Sequence, residues 1–200
     1  MTEEIIPRYE FRAFAQSFGL VEGRIRKRSC EQIWESRDVY VLSAATNENN
    51  TKIRDGKMDI KVFVQEEQGL EQWRPRTKVE FPLPVEVIRE EVFPAFEVPA
   101  PDLERPVYTE AHFLDELVWP HRMLTVVQVY KLRFAFTVNE CITEIAHLLV
   151  NGAAIETVAV ESEDPKAVLE AKGILGLDPY ENLNYLIALK RIVGMERLPE

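Results

Sequence analysis

Charged residues recur at every second position in several stretches of this sequence, and most of them are basic. Arg8, Glu10 and Arg12 do so near the start. Lys52 and Arg54, then Asp59 and Lys61, follow in the middle, with Lys78 and Glu80 beyond them. Lys131 and Arg133 repeat the spacing in the second half, ahead of Glu144 and Glu161. A period of two marks one face of a β-strand. Lysine and arginine gathered on an enclosed face neutralise a multiply charged anion, arginine as a planar fork and lysine as a point charge. The same residues pointing into water make only a solvated sheet face, and local pattern leaves both readings open.

The elements that must position these groups are mostly strands. The stretch "NTKIRDGKMDIKVF" (50–63) sets Asp55-Gly56 between two alternating runs. Asp-Gly is a strong hairpin signal, because a type I′ turn needs positive φ at both central residues. The register then places Arg54 opposite Lys57, Ile53 opposite Met58, Lys52 opposite Asp59, Thr51 opposite Ile60 and Asn50 opposite Lys61. One face is Thr51, Ile53, Met58, Ile60 and Val62. The other is Asn50, Lys52, Arg54, Lys57, Asp59 and Lys61. Like charges directly opposite cost about 0.2–1 kcal/mol, and Asp59 is the local compensation. Such a face is suited to an anion.

Other segments extend the pattern. Residues 5–14 read as a first strand, with Tyr9, Phe11 and Ala13 on one side. A short helix is predicted over 14–27, weakened by Gly19 and Gly23. Strands follow at 36–45 and 76–81. Residues 82–108 are proline-rich, which argues against regular helix and central strand, so they are read as a connector between two halves of one domain. Thr109 is placed to cap a helix reaching Trp119. Residues 125–138 form a long strand, and 141–150 a strand or, as the lesser alternative, a helix. Asn151-Gly152 turns into 153–162. Asp164-Pro165 opens a helix that Gly173 or Gly176 ends, and "NLNYLIALKRIVG" closes as another. The tally is seven or eight mostly antiparallel strands.

Composition sets outer limits. The chain has 200 residues, 46% hydrophobic and 29% charged, with a formal net charge of -10. That balance argues against a general nucleic-acid binder, so no DNA binding is expected. Cys30 and Cys141 lack metal-site spacing and suit a reducing cytoplasm. The first residues show no basic region leading into an apolar run, and no stretch approaches the ~20 apolar residues of a membrane span. His112, His121 and His147 are scattered without ligand spacing and read as surface or structural residues. Trp34, Trp73 and Trp119 read as packing residues. Phosphate-loop, nucleophile-elbow, zinc-protease and dinucleotide motifs are absent, so a nucleophilic serine or cysteine has no support.

The order of the charged strands resembles the CYTH superfamily, the triphosphate tunnel metalloenzymes. Arg8-Tyr9-Glu10-Phe11-Arg12 stands where that family opens with E-x-E-x-K. Lys52-Ile53-Arg54 looks like its R-x-R strand, "MDIKVF" with Lys61 like the next, Lys78-Val79-Glu80 like its basic-then-acidic strand, and Lys131-Leu132-Arg133 like its K-x-R. "CITEIAHLLVNG" and "AAIETVAVES" meet the acidic pair through Glu144 and Glu161, and "NLNYLIAL" looks like the closing helix. The resemblance covers roughly residues 5–192; each motif is weak alone, and the ordered set is more specific.

The resemblance implies an α+β fold: an eight-stranded antiparallel β-barrel, or tunnel, with flanking helices. It implies Arg12, Lys52, Arg54, Lys61, Lys78, Lys131 and Arg133 on the phosphates of a small-molecule triphosphate or polyphosphate. Glu10, Glu80, Glu144 and Glu161 become ligands to Mg²⁺ or Mn²⁺, since hard divalent cations take carboxylate oxygens. The implied activity is metal-dependent hydrolysis of a triphosphate. The pattern departs from the family where Arg8 replaces the first acid, Arg12 the lysine, and Ala159-Val160-Glu161 offers one acid instead of two. That depletion keeps a binding module without turnover as the alternative, and a β-scaffold without ligand as a third. An oligomer is left open.

Overall fold

The computed structural model describes residues 6–196. Eight strands close into an antiparallel barrel: β1 (Tyr9–Ala15), β2 (Gln32–Ser43), β3 (Asn49–Arg54), β4 (Lys57–Glu67), β5 (Leu70–Glu80), β8 (Leu124–Val138), β9 (Cys141–Val150) and β10 (Ala153–Ser162). Their order is β1-β10-β9-β8-β2-β3-β4-β5, and the short strands β6 (Leu83–Pro84) and β7 (Val107–Tyr108) form a separate pair. Tyr9 opposite Gln72 and Glu10 opposite Glu71 close the seam between β1 and β5. Closure leaves no open sheet edge.

Tight turns set much of the register. Asp55-Gly56, Gln68-Gly69, Asn139-Glu140 and Asn151-Gly152 each carry positive φ at both residues, the backbone that matches the twist of the flanking strands. The β3–β4 hairpin has the expected register throughout, from Arg54 opposite Lys57 to Asn50 opposite Lys61.

The helical segments are α1 (Leu20–Ile25), α2 (Val85–Val87, Ile88–Val92 and Phe93–Phe96 in sequence), α3 (Glu110–His112 and Phe113–Val118), α4 (Pro165–Leu175) and α5 (Tyr185–Ile192). Asp164 caps α4 by accepting from the Lys166 N–H, Pro165 occupies its first turn, and Gly176 ends it with φ 75°. Thr109 caps α3, accepting from the His112 N–H at 3.2 Å. Two expectations change. The helix at 14–27 shrinks to six residues, entered through Gly19 at φ 47°. The proline-rich stretch holds a helix, α2. Its central turn is a π-turn in which the Phe93 N–H reaches Ile88. That widened turn accommodates Pro94, whose ring and missing N–H would break a regular α-turn. Ile5, within the expected first strand, lies outside the described residues.

The chain forms two compact units: residues 1–36, 63–74 and 130–184, and residues 37–62, 75–129 and 185–200. In the first, Phe11 and Ala13 of β1, Ile145 of β9, and Val158 and Val160 of β10 pack against Val21 and Ile25 of α1 and Val168, Ala171 and Leu175 of α4. In the second, Val41, Ile53, Met58 and Ile60 pack with Ile88, Phe93 and Phe96 of α2 and Phe113 and Leu117 of α3. Burying each such side chain is worth about 1.5–3 kcal/mol. In both units the apolar strand residues meet the helices, and the alternate residues form the opposite, polar face.

Candidate functional site

In the first unit the polar face begins at β1. Glu10 pairs across with Glu161 of β10 on one side and Glu71 of β5 on the other. Directly opposed residues share a face, so three carboxylates form a row across three neighbouring strands. Two residues along, Arg12 lies opposite Ala159, and Ala159 lies opposite Glu144 of β9. The register thus builds an acidic patch around one arginine.

Side-chain geometry follows from that register. The Arg12 guanidinium lies 2.6 Å from Glu10, 3.5 Å from Glu144 and 3.8 Å from Glu161, and its side chain is only 6% exposed. Glu144 also pairs with Arg133 of β8, whose Nε donates at 2.8 Å. The Arg133 guanidinium stacks 4.6 Å above the Trp34 ring. Lys131, two residues before Arg133, is buried. Glu71 accepts from the Trp73 indole N–H at 2.8 Å and from the Asn184 amide at 3.0 Å.

A strap holds this patch. The Leu183 N–H donates to the Arg12 carbonyl at 2.7 Å, and the Arg12 N–H donates to Asn182 Oδ1 at 2.8 Å. The Asn182 amide then reaches the Gly69 carbonyl at 2.7 Å. "NLN" therefore runs beside β1, and the last helix starts only at Tyr185.

Crowding sets the electrostatics. Burial, then the neighbouring Glu10 charge, raises the Glu161 carboxyl to about 7, against the opposing pull of Arg12. Burial also raises Glu71, with the Trp73 and Asn184 hydrogen bonds working the other way. Glu10, Glu144 and Glu161 thus share Arg12, with Arg133 also on Glu144, and the crowding favours a proton on Glu161. Glu144 Oε1 is buried and makes no hydrogen bond.

The second unit pairs its charges differently. Arg54 grips Asp38 at two points, its Nε donating at 2.7 Å, and the Asp38 side chain is fully buried. Lys52 lies 3.3 Å from Asp59 and 5.9 Å above the Tyr40 ring, on which Tyr185 of α5 stacks. Burial lowers Lys52 to about 8; Asp59 opposes the shift, while Arg54 and Lys61 add to it. Lys190 of α5 is buried and donates to the Thr46 carbonyl at 2.8 Å. Lys61, Lys78 and Glu80 are exposed.

The sequence-derived candidates therefore fall into groups. Glu10, Arg12, Arg133, Glu144 and Glu161 form one connected patch in the first unit, with Lys131 on the same strand as Arg133. Lys52 and Arg54 form separate pairs in the second unit. Two residues were missed by sequence reading. Glu71 lies ahead of the alternation read at 76–81, and only its pairing with Glu10 shows its face. Asp38 precedes the apolar positions by which β2 was read.

No family model and no curated protein matches the chain. Solved structures do. HpAC1 from Hippeastrum, a candidate adenylyl cyclase reported to have a dominant triphosphatase activity, aligns over 96% of this chain and 98% of its own, at 12% identity and a TM-score of 0.52. The chain therefore shares that protein's fold, a closed eight-stranded antiparallel tunnel with flanking helices. A candidate adenylate cyclase from Bacillus halodurans aligns over 98% of this chain and 95% of its own, at 9% identity and a TM-score of 0.49. PH1819 from Pyrococcus horikoshii aligns over 92% and 99%, at 18% identity and a TM-score of 0.46. Within this tunnel fold, no helix among the described residues is long and apolar enough to cross a membrane.

Proposed function

We propose that the protein hydrolyses a triphosphate compound, inorganic tripolyphosphate or an organic triphosphate, in a divalent-metal-dependent reaction inside its tunnel. The observation that carries this reading is the row of Glu71, Glu10 and Glu161, with Glu144 beside it. Partly buried acids crowded around a shared arginine repel one another unless a proton or a metal ion joins them. The donor set is carboxylate oxygen, which suits Mg²⁺ or Mn²⁺. Glu10, Glu144 and Glu161 would hold the ion, with Glu71 adjoining. A bound divalent ion would supply an activated water and screen the charge on the departing oxygen.

The chain's own residues do the rest. Arg12 keeps Glu10, Glu144 and Glu161 gathered. The reading keeps Arg12, Lys131 and Arg133 of the first unit, and Lys52, Arg54, Lys61 and Lys78 of the second, as phosphate-binding residues. Phosphate release from tripolyphosphate, ATP and thiamine triphosphate, measured with Mg²⁺, Mn²⁺ or EDTA, tests it. Metal-dependent release that falls about 100-fold or more in Glu10→Gln is expected. Absence of release from all three with both metals would sink the hydrolase reading.

One observation favours a second reading, a binding module without turnover. Arg12, Arg133, Lys52 and Arg54 already carry carboxylate partners, so an arriving phosphate must displace an internal ligand. Thermal stabilisation by tripolyphosphate without hydrolysis would favour this reading.

A further inference from the structure

We propose that Glu22, His147 and Glu156 form a site for a zinc-class transition-metal ion on the helix-covered side of the first unit, on the opposite sheet face from Arg12 and its acids. His147 of β9 and Glu156 of β10 are register partners, and Glu156 lies opposite Ala15 of β1, in phase with the apolar residues Phe11 and Ala13. Glu22 reaches them from α1. One donor atom from each of the three lies within 4.8 Å of the others.

The spacing suits an ion better than an internal hydrogen bond. His147 Nε2 lies 3.6 Å from Glu22 Oε1, beyond hydrogen-bond reach. Two ligands bound at about 2.0–2.1 Å to a tetrahedral ion stand roughly 3.4 Å apart. Nε2 is itself buried and has no hydrogen-bond partner, a costly state for a ring nitrogen. Both carboxylates are already oriented: Arg26 Nε donates to Glu22 at 2.6 Å, and the Phe18 N–H donates to Glu156 Oε2 at 2.9 Å. Such outer partners are what metal ligands commonly have. One imidazole with two carboxylates suits zinc, manganese, iron or cobalt, whereas Mg²⁺ and Ca²⁺ favour all-oxygen sets.

Three protein ligands leave at least one coordination position open. Beside the triad is a cavity of about 210 Å³ whose lining includes Gln16, Tyr130, Leu132, His147 and Glu156. It has room for a water or a small anion on the metal. The His147 side chain is 43% exposed, so an ion can enter without unfolding the sheet.

Zinc titration of the chelator-treated full chain, by calorimetry and by ¹⁵N NMR of its three histidine rings, tests the site. The tunnel acids also attract metal, so the Glu161→Gln variant is titrated in parallel. The proposal requires that Glu161→Gln still binds zinc with the same shifted ring signal as wild type, and that this signal is absent from His147→Gln. Affinity should fall by about 100-fold or more in His147→Gln and by about 10-fold in Arg26→Ala, with the metal-free melting temperature of each unchanged. If His147→Gln does not fold, the ring shift in Glu156→Gln serves instead and should vanish. No zinc binding, unchanged affinity in the His147 variant, or a shift confined to the rings of His112 and His121 would overturn the assignment.

Discussion

In the first unit Arg12 is shared by Glu10, Glu144 and Glu161, whereas in the second Arg54 meets Asp38 at two points and Lys52 meets Asp59. A matched pair satisfies its own charge and mainly holds strands together. A set in which acids outnumber cations stays electrostatically incomplete, and Glu161 shows this by holding its proton up to about 7. The comparison separates charge matched within a pair from charge shared among several acids.

The largest expected effect comes from breaking the shared arginine. Arg12→Leu removes the cation common to three acids and should cost about 3–5 kcal/mol in urea unfolding; a loss under about 1 kcal/mol would mean the acids do not depend on it. Asp38→Ala in the second unit should cost less, about 2–3 kcal/mol, because Arg54 is partly exposed and can rehydrate.

Glu161→Gln should act in the opposite direction. The folded-state value lies above the ordinary 4.5, so the folded protein holds the extra proton between about 4.5 and 7. Stability from this group is greatest below about pH 4.5 and is lost as pH rises through 7. The variant should therefore melt roughly 5 °C higher than wild type at pH 8, with a smaller gain at pH 5; equal shifts at both would contradict the crowding argument. The smallest stability change belongs to Lys61→Ala, within ~0.5 kcal/mol since the side chain is exposed. It should nevertheless lose the thermal stabilisation that tripolyphosphate gives wild type. Retained stabilisation would remove Lys61 from the phosphate-binding set.

Much of this was legible in sequence wherever a short turn fixes its own register. Asp55-Gly56 places every side chain of its hairpin on a face and the observed pairings agree, and Asn151-Gly152 turns β9 into β10 as expected. Glu10 could be named from alternation, and Glu144 and Glu161 from the order of the charged strands. Glu71 could not, because its face is set by β1, a strand distant in sequence. The strap at Asn182–Asn184 was hidden because its backbone and amide bonds depend on tertiary position and carry no hydrophobic period. The α2 helix was hidden for a local reason: proline density argues against an α-helix, and a π-turn evades that argument. His147 gave no signal because its neighbours Glu22 and Glu156 lie on other elements.

The strap also bears on when the barrel can shut. Asn182 and Leu183 bind Arg12 on β1, while Asn182 and Asn184 bind Gly69 and Glu71 at the start of β5. The seam between β1 and β5 is thus fastened by residues that follow β10 in the chain. As synthesis proceeds from the N-terminus, β1 emerges long before β10 or its clasp exists. During that interval β1 can pair only with β5, through Tyr9 and Glu10, so a nascent chain halted before residue 182 should depend on chaperones more than one that carries the strap.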